Sequence, residues 1–111
     1  MPLLQRDTLF KVAGRNKHDQ DRLIEAYQVL AQEAKLDGKP YIADIKVTPL
    51  LDHTASQGYT LRARALFASV KDMQYFDSEC PAHKALKEHV RKMGSVAAPP
   101  LVLVTELEDS V

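Results

Sequence analysis

His83 is the residue whose type and position could do chemistry most directly. Pro81 suits the first turn of a helix and Gly94 suits the left-handed position after its end, so the sequence predicts a helix over about residues 81–93. At helical spacing the imidazole shares one face with the apolar side chains of Leu86, Val90 and Met93. The ring therefore faces the interior, where it could take a proton from an acidic carbon or return one to an enolate. The alternative is a structural histidine bonded to a backbone carbonyl.

Two further polar side chains could act with this imidazole. Tyr27, on the longest predicted helix, could supply a phenol, or it is a core tyrosine whose hydroxyl reaches water. Arg6, at the start of the first predicted strand, could pair with a carboxylate or a developing enolate, or it is an ordinary solvated cation. His83 and Tyr27 are thus the candidate catalytic residues, and Arg6 could orient or stabilise an oxyanion in their place or beside them.

Hydrophobic periodicity predicts the elements that must hold these side chains. Alternating apolar residues predict four strands, and apolar residues at helical spacing predict helices between them. In chain order, the elements cover about residues 5–12, 18–36, 41–48, 58–68, 69–76, 81–93 and 101–107. With the last two helices counted as one segment, the order is β-α-β-β-α-β, which predicts a ferredoxin-like α+β fold with a four-stranded antiparallel sheet. By its length the chain is a single domain, 1–111.

The helix-covered face of that sheet is expected to enclose a cavity. Ala63 and Ala65 lie in the middle of the third predicted strand, opposite a helix, where small side chains leave space. An apolar cavity with a few polar groups is the usual small-molecule site. Besides His83 and Tyr27, the residues expected at its walls are Arg6, Thr8, Phe10, Leu23, Ala63, Phe76, Leu86 and Val90. Alternatively, larger neighbours close the gap and nothing binds.

The opposite face of the sheet is expected to mix apolar and charged side chains. Those assigned to it are Ile42, Leu66, Val102 and Val104 beside Lys46, Arg62 and Arg64. Such a face is too apolar for full exposure and too charged for a dry core. A domain of this length buries only about two-thirds of its unfolded surface, so pairing with a second copy would bury more surface and add to its stability. A homodimer is therefore expected.

Composition excludes several classes of partner and cofactor. Fifteen basic and fifteen acidic residues cancel without a basic block, so nucleic acid is not an expected partner. No apolar run approaches the roughly 20 residues of a membrane span, and the first residues lack a signal pattern, so a cytoplasmic protein without membrane association is expected. A single cysteine, Cys80, agrees with a reducing compartment. Histidine spacing and loop motifs predict neither a metal nor a cofactor.

Three short motifs resemble the stress-responsive A/B-barrel family, known as Dabb. The motifs are Gly58-Tyr59-Thr60, Phe67-Ala68-Ser69 and Pro81-Ala82-His83, and the resemblance spans the chain from about Arg6 to Val104. It implies a dimeric α+β barrel, in which the open faces of two sheets pack together.

The resemblance also implies a role for one histidine. In the polyketide cyclases of the family, the histidine that matches His83 is a general base and works with a tyrosine from the preceding short helix. The best-aligned position here holds Phe76, which has no hydroxyl, and Tyr75 projects about 100° away around the helix. This leaves open which group, if any, replaces the tyrosine.

Residues and resemblance together favour a small-molecule enzyme of the polyketide cyclase or lyase kind, acting by acid–base chemistry on a small apolar or aromatic molecule. The alternative is a non-catalytic, stress-responsive homodimer that binds a ligand, which Phe76 favours. A purely structural oligomer without a pocket is the third class. Haem-degrading monooxygenases share the fold, but this sequence has no tryptophan and no axial-ligand signal.

Overall fold

The computed structural model describes residues 2–107. The strands and helices are β1 (Leu4–Phe10), α1 (Lys17–Glu33), β2 (Ile42–Pro49), β3 (Leu61–Phe67), α2 (Val70–Ser78), α3 (Pro81–Met93) and β4 (Leu101–Glu106). Single 3-10 turns at Ala13–Arg15 and Thr54–Ser56 interrupt the connections. All the predicted elements are present, with ends shifted by a few residues. The predicted domain, 1–111, extends at both ends beyond the described residues.

The four strands form one antiparallel sheet in the order β2-β3-β1-β4. The central strands β1 and β3 pair so that Thr8 lies opposite Ala63, while on its other side Thr8 lies opposite Val102 of β4. Alternate residues of β3, from Leu61 to Phe67, are buried under the helices. The ferredoxin-like α+β fold is therefore confirmed.

Local sequence signals set the ends of the two helices nearest the candidate histidine. The Ser69 hydroxyl caps α2 by accepting a hydrogen bond from the backbone N–H of Asp72 at 3.1 Å. Pro81 occupies the first turn of α3, and Gly94 follows its last residue at φ 72°, where a glycine avoids the strain of a left-handed backbone. Pro81 and Gly94 therefore fix the two ends of α3 and, with them, the place of His83 in its first turn.

The longest helix ends earlier than its apolar pattern predicts. It stops at Glu33 rather than near Leu36, because Ala34 already has an extended backbone. Leu36 instead pairs with Lys39 across a tight turn that has Gly38 at φ 76°. The residues that follow turn the chain into β2.

Aromatic side chains pack on the helix side of the sheet near the end of β3. Phe67 and Phe76 are fully buried with their ring centroids 5.1 Å apart, and Tyr41 lies 6.3 Å from Phe67. Ala63 and Ala65 are buried in the same core cluster. Larger neighbours therefore cover the space that was expected over these two alanines.

The open face of the sheet differs from the one expected. Val102 and Val104 lie opposite Thr8 and Arg6, which point to the helices, so both valines lie on the helix side. Ile42 lies opposite the buried Phe67 and is also on the helix side. The assignments of these three residues to the open face were wrong. For Ile42 the cause is a register shift before Asp44, because an extra residue in a strand reverses its alternation.

The open face contains a leucine cluster, a name we use for Leu9, Leu66, Leu101 and Leu103. These residues alternate with the buried positions of their strands or pair with residues that do. Charged side chains surround them, including the pair Arg64 Nη2 and Asp44 Oδ2 at 2.8 Å. On the edge strand β4, Leu103 is 49% exposed.

Candidate functional site

A cavity of about 360 Å³ lies under α3, toward the β4 edge of the sheet. It falls within the size range typical of small-molecule sites. It is lined by Arg6, Thr8, Phe10, Tyr27, His83, Leu86, Lys87, Val90, Arg91, Val96, Ala97, Ala98, Pro99, Pro100 and Val102. The expected cavity therefore exists on the helix side of the sheet, but over β1 and β4 rather than over the alanines of β3.

His83 lies at the inner wall of this cavity and is 3% exposed. Its Nδ1 is 2.7 Å from the backbone carbonyl oxygen of Phe76. A carbonyl can only accept, so Nδ1 carries the proton and donates it, and Nε2 is the nitrogen left for a ligand. The carbonyl is available because Phe76 is in the last turn of α2, where carbonyls lose their helical partners.

The ring of His83 is fixed by stacking as well as by that hydrogen bond. Its centroid lies 3.7 Å from that of Phe76, with 14° between the two planes. The backbone bond of a structural histidine is therefore present, and the same bond orients the imidazole toward the cavity. One geometry serves both interpretations of this residue.

Burial lowers the pKa of His83 from 6.5 to about 4. The hydrogen bond to the Phe76 carbonyl opposes this shift, while the charges of Lys87 and Arg6 add to it. The imidazole is consequently neutral at neutral pH, which is the form that can accept a proton.

Tyr27, from α1, and Thr8, from β1, also line the cavity. Burial raises the pKa of Tyr27 to about 12, although the positive charge of Arg6 and a hydrogen bond with Thr8 act against the rise. The phenol is therefore protonated at neutral pH and can donate a hydrogen bond. Its ring is also part of the core, since it meets Phe10 edge to face with centroids 6.1 Å apart.

Arg6 is buried beside these groups, with 9% of its surface exposed. Its Nη1 donates to Thr8 Oγ1 at 2.7 Å, and its Nε lies 2.8 Å from Asp77 Oδ1. The guanidinium carbon is 5.2 Å from the centroid of the Phe76 ring, on which His83 also stacks. The alternative of an ordinary solvated cation is therefore wrong for Arg6.

The structure brings together most of the residues expected at the site, and separates three of them from it. Leu23, Ala63 and Phe76 are buried in the core and do not line the cavity. Phe76 acts instead through its ring and its carbonyl, which hold His83.

Several cavity residues were missed by the sequence analysis. Lys87 and Arg91 follow His83 by four and eight residues on α3, a helical spacing that could have revealed them. The loop of residues 96–100 carries no such pattern, so its contribution depends on where the chain folds back before β4.

Residues 2–107 contain neither a metal-binding cluster nor a helix that could span a membrane. No group of three or more His, Cys, Asp or Glu side chains in this range could hold a metal ion. None of the helices described there combines the length and the apolar character needed to cross a bilayer.

Comparison with known proteins identifies one relative by sequence. No family model matches the chain. A protein of Gibberella zeae described as a Fusaristatin A biosynthesis cluster protein is 35% identical over 85 residues, which make up 77% of this chain and 60% of that protein. The chain thus matches less than two thirds of the length of this relative.

Solved structures extend the comparison at the level of the fold. The hydroxynitrile lyase of Passiflora edulis has a TM-score of 0.74 at 16% identity, over 99% of this chain and 97% of its own. SnoaB, a cofactor-independent oxygenase of Streptomyces nogalater, has a TM-score of 0.68 at 8% identity, over 100% of this chain and 98% of its own. A dimeric ferredoxin-like protein of Thermobifida fusca has a TM-score of 0.71 at 16% identity, over 96% and 92%. Because the sequence identities are only 8–16%, these similarities support a shared fold and nothing more specific.

Proposed function

We propose that this protein is a small-molecule enzyme, similar to the polyketide cyclases and lyases of the Dabb family, in which His83 transfers a proton. The observation that carries the proposal is a buried, neutral imidazole whose Nδ1 is fixed by the Phe76 carbonyl while the ring borders an apolar cavity of about 360 Å³. A general base needs this combination of a fixed tautomer, an unprotonated nitrogen and a space for the reacting carbon.

In the proposed reaction, Nε2 of His83 takes a proton from a carbon next to a carbonyl group, and the electron pair of the C–H bond moves into an enolate. The imidazolium then returns the proton to an oxygen or carbon of the product. Burial and the charges of Lys87 and Arg6 disfavour the protonated ring, so they oppose uptake of the proton and favour its return. The negative charge of an enolate beside Arg6 offsets this effect while the ring is protonated. The protein ends the cycle unchanged.

Two groups are suited to stabilise the enolate oxygen. Arg6 offers a buried positive charge, and Tyr27 offers a protonated phenol. Either could take the part of the tyrosine that the resemblance places at Phe76. Of the two, Arg6 acts more strongly, since a charged donor in a buried site stabilises an anion better than a neutral one.

The comparisons support a role in small-molecule metabolism. The sequence relative is described as a biosynthesis cluster protein, and the similar folds include a lyase and a cofactor-independent oxygenase. Neither identifies the substrate of this chain.

Proton-to-deuterium exchange tests the proposal without knowledge of that substrate. We expect the protein to accelerate exchange at the α-carbon of propiophenone in heavy water, measured by NMR, and we expect His83→Ala and His83→Gln to lose the acceleration. His89→Gln is the matched control, because His89 lies on the same helix but does not line the cavity. Full acceleration by a folded His83→Ala variant would remove the imidazole from the mechanism.

A non-catalytic ligand-binding protein is the second candidate, and Phe76 favours it. The phenyl ring that stacks on His83 has no hydroxyl to share in proton transfer. If the wild-type protein binds aromatic molecules without accelerating exchange, this candidate is the better one. The presence of the cavity argues against the third class, a purely structural oligomer.

The assembly we propose is a homodimer through the open face of the sheet. Several proteins of the same fold are dimeric, and the leucine cluster would leave apolar surface in water if it stayed uncovered. We expect Leu103→Asp to convert the dimer to a monomer in analytical ultracentrifugation, whereas Val29→Asp, at a residue 51% exposed on α1, leaves it intact. A cytoplasmic location stays a prediction, testable by cell fractionation.

A further inference from the structure

Positive charge is concentrated around the cavity. Arg6, Lys87 and Arg91 line it, and among residues 2–107 the lining includes no Asp or Glu. Two carboxylates pair with these cations from outside the lining, Asp77 with Arg6 and Glu88 with Arg91. Three cations against two carboxylates leave one excess positive charge beside walls that are otherwise mostly apolar.

Arg6 is the buried member of this group, and one of its donors is unused. Its Nη1 donates to Thr8 Oγ1. Its Nε lies close to Asp77 Oδ1, but that N–H is not aimed at the oxygen and has no hydrogen-bond partner in the described part of the chain. A guanidinium has five N–H donors, and leaving a buried donor unpaired costs free energy. Because Nε is enclosed against Asp77, an additional acceptor in the cavity would meet the outer N–H groups of the guanidinium.

Lys87 brings a second charge to the same place. Its Nζ donates to the backbone carbonyl of Asp77 at 3.2 Å, and the carboxylate of that residue pairs with Arg6. Lys87 also lies one helical turn after His83 and lowers its pKa, as Arg6 does. Two cations from different elements thus converge on the side of the cavity that holds the imidazole.

We infer that the ligand of this cavity is an apolar molecule with a carboxylate, which binds Arg6 while the rest of the molecule lies against Phe10, Leu86 and Val90. The inference names the substrate class of the proposed function and rests on that proposal for the role of the cavity. A carboxylate accepts paired hydrogen bonds from a guanidinium, and Lys87 adds attraction at the mouth. A neutral amide of the same shape offers one carbonyl acceptor and no charge, so it pairs with Arg6 more weakly.

Naphthoate and naphthamide provide a matched pair of probes, equal in shape and different in charge. By isothermal titration calorimetry, we expect the wild-type protein to bind naphthoate about tenfold or more tightly than naphthamide. Arg6→Gln is expected to bring the two affinities close together while naphthamide binding is kept. Equal affinities in the wild type, binding of neither probe, or a full preference in a folded Arg6→Gln variant would each overturn the inference.

A second pair of variants decides the question if Arg6→Gln does not fold. Lys87→Ala is expected to weaken naphthoate binding about twofold or more and to leave naphthamide unaffected, since an exposed charge contributes modestly. Lys84→Ala removes an equal charge from the same helix away from the cavity and is expected to change neither affinity. Equal effects of the two variants would contradict the inference.

The failure of this inference can be told apart from failure of the proposed function. A protein that accelerates exchange through His83 but binds both probes equally refutes the carboxylate and keeps the base. Preference for naphthoate, without acceleration of exchange in either propiophenone or the carboxylate-bearing ketone 4-acetylbenzoate, refutes the base and keeps the carboxylate.

Discussion

The helix-covered face of the sheet has two halves that use similar residues in different ways. Over β2 and β3, the ring of Phe67 packs against those of Tyr41 and Phe76, and the two alanines of β3 are buried. Over β1 and β4, the same face opens into the cavity, and the side chains there include buried Arg6 and His83. The first half is packed around these rings and keeps only a smaller cavity of about 220 Å³ beside Ile45 and Val47, whereas the second keeps a cavity of about 360 Å³ with polar groups in its wall.

The difference shows that a cavity forms where the side chains facing the sheet are too short to fill the space. Small residues in the strand below do not create one by themselves. Ala63 is buried despite its small side chain, because larger residues from other elements belong to the same core cluster. On the β1 side, α3 presents Leu86 and Val90, and the chain returns to the sheet edge through a loop instead of a helix. These shorter side chains leave the space unfilled.

The largest expected effect is on the free energy of unfolding, for a variant in the packed half over β2 and β3. Phe76→Ala is expected to lower the free energy of unfolding by about 3–5 kcal/mol, because it leaves a cavity in a closed core. Val90→Ala, at a partly buried wall of the existing cavity, is expected to cost only about 1 kcal/mol. Urea denaturation of both variants measures the contrast, and equal costs would contradict the distinction between the halves.

The next effect is the pH dependence of stability in the open half. The pKa of His83 is lowered from 6.5 to about 4 in the folded protein, so between these values the unfolded chain binds the proton more strongly. The contribution of His83 is therefore full above about pH 6.5 and is lost as pH falls toward 4, by up to about 3 kcal/mol. His83→Gln should reduce the difference in unfolding free energy between pH 7 and pH 4.5. An unchanged difference would mean that burial does not depress this pKa.

Adding volume to the two halves is a third test, with a smaller effect. Ala63→Leu is expected to destabilise the protein by about 1–3 kcal/mol, because the added atoms meet a filled core. In the open half, Val90→Leu adds a methylene at the cavity wall and is expected to cost less than about 1 kcal/mol. If Ala63→Leu costs no more than Val90→Leu by thermal or urea unfolding, the space over β3 is not closed.

The smallest expected effect concerns the charges of the open half. Lys87→Ala should raise the pKa of His83 by a fraction of a unit, since the lysine charge lowers it across partly screened space. NMR titration of the imidazole resonances measures this shift. Lys84→Ala is the control and should leave the titration unchanged; an equal shift in both variants would indicate a long-range charge effect only.

Much of the architecture could be read from local signals in the sequence. Pro81 and Gly94 mark the two ends of α3, and the alternation of β3 from Leu61 to Phe67 marks its buried face. These signals depend on neighbours a few residues apart, so the sequence alone carries them. The inward orientation of His83 followed in the same way from helical spacing.

What the sequence could not determine was where space remains. The faces of Ile42, Val102 and Val104 depend on a register shift in β2 and on the pairing of β4 with β1, which join residues far apart in the chain. The position of the cavity depends on how far each side chain reaches across the packed layers. By itself the sequence determined the elements, their order and the imidazole's place on α3, because these rest on short-range periodicity and chain ends. Only the tertiary structure decided that the hollow lies beside Arg6 and not above Ala63, because the filling of volume is a property of all the side chains packed together.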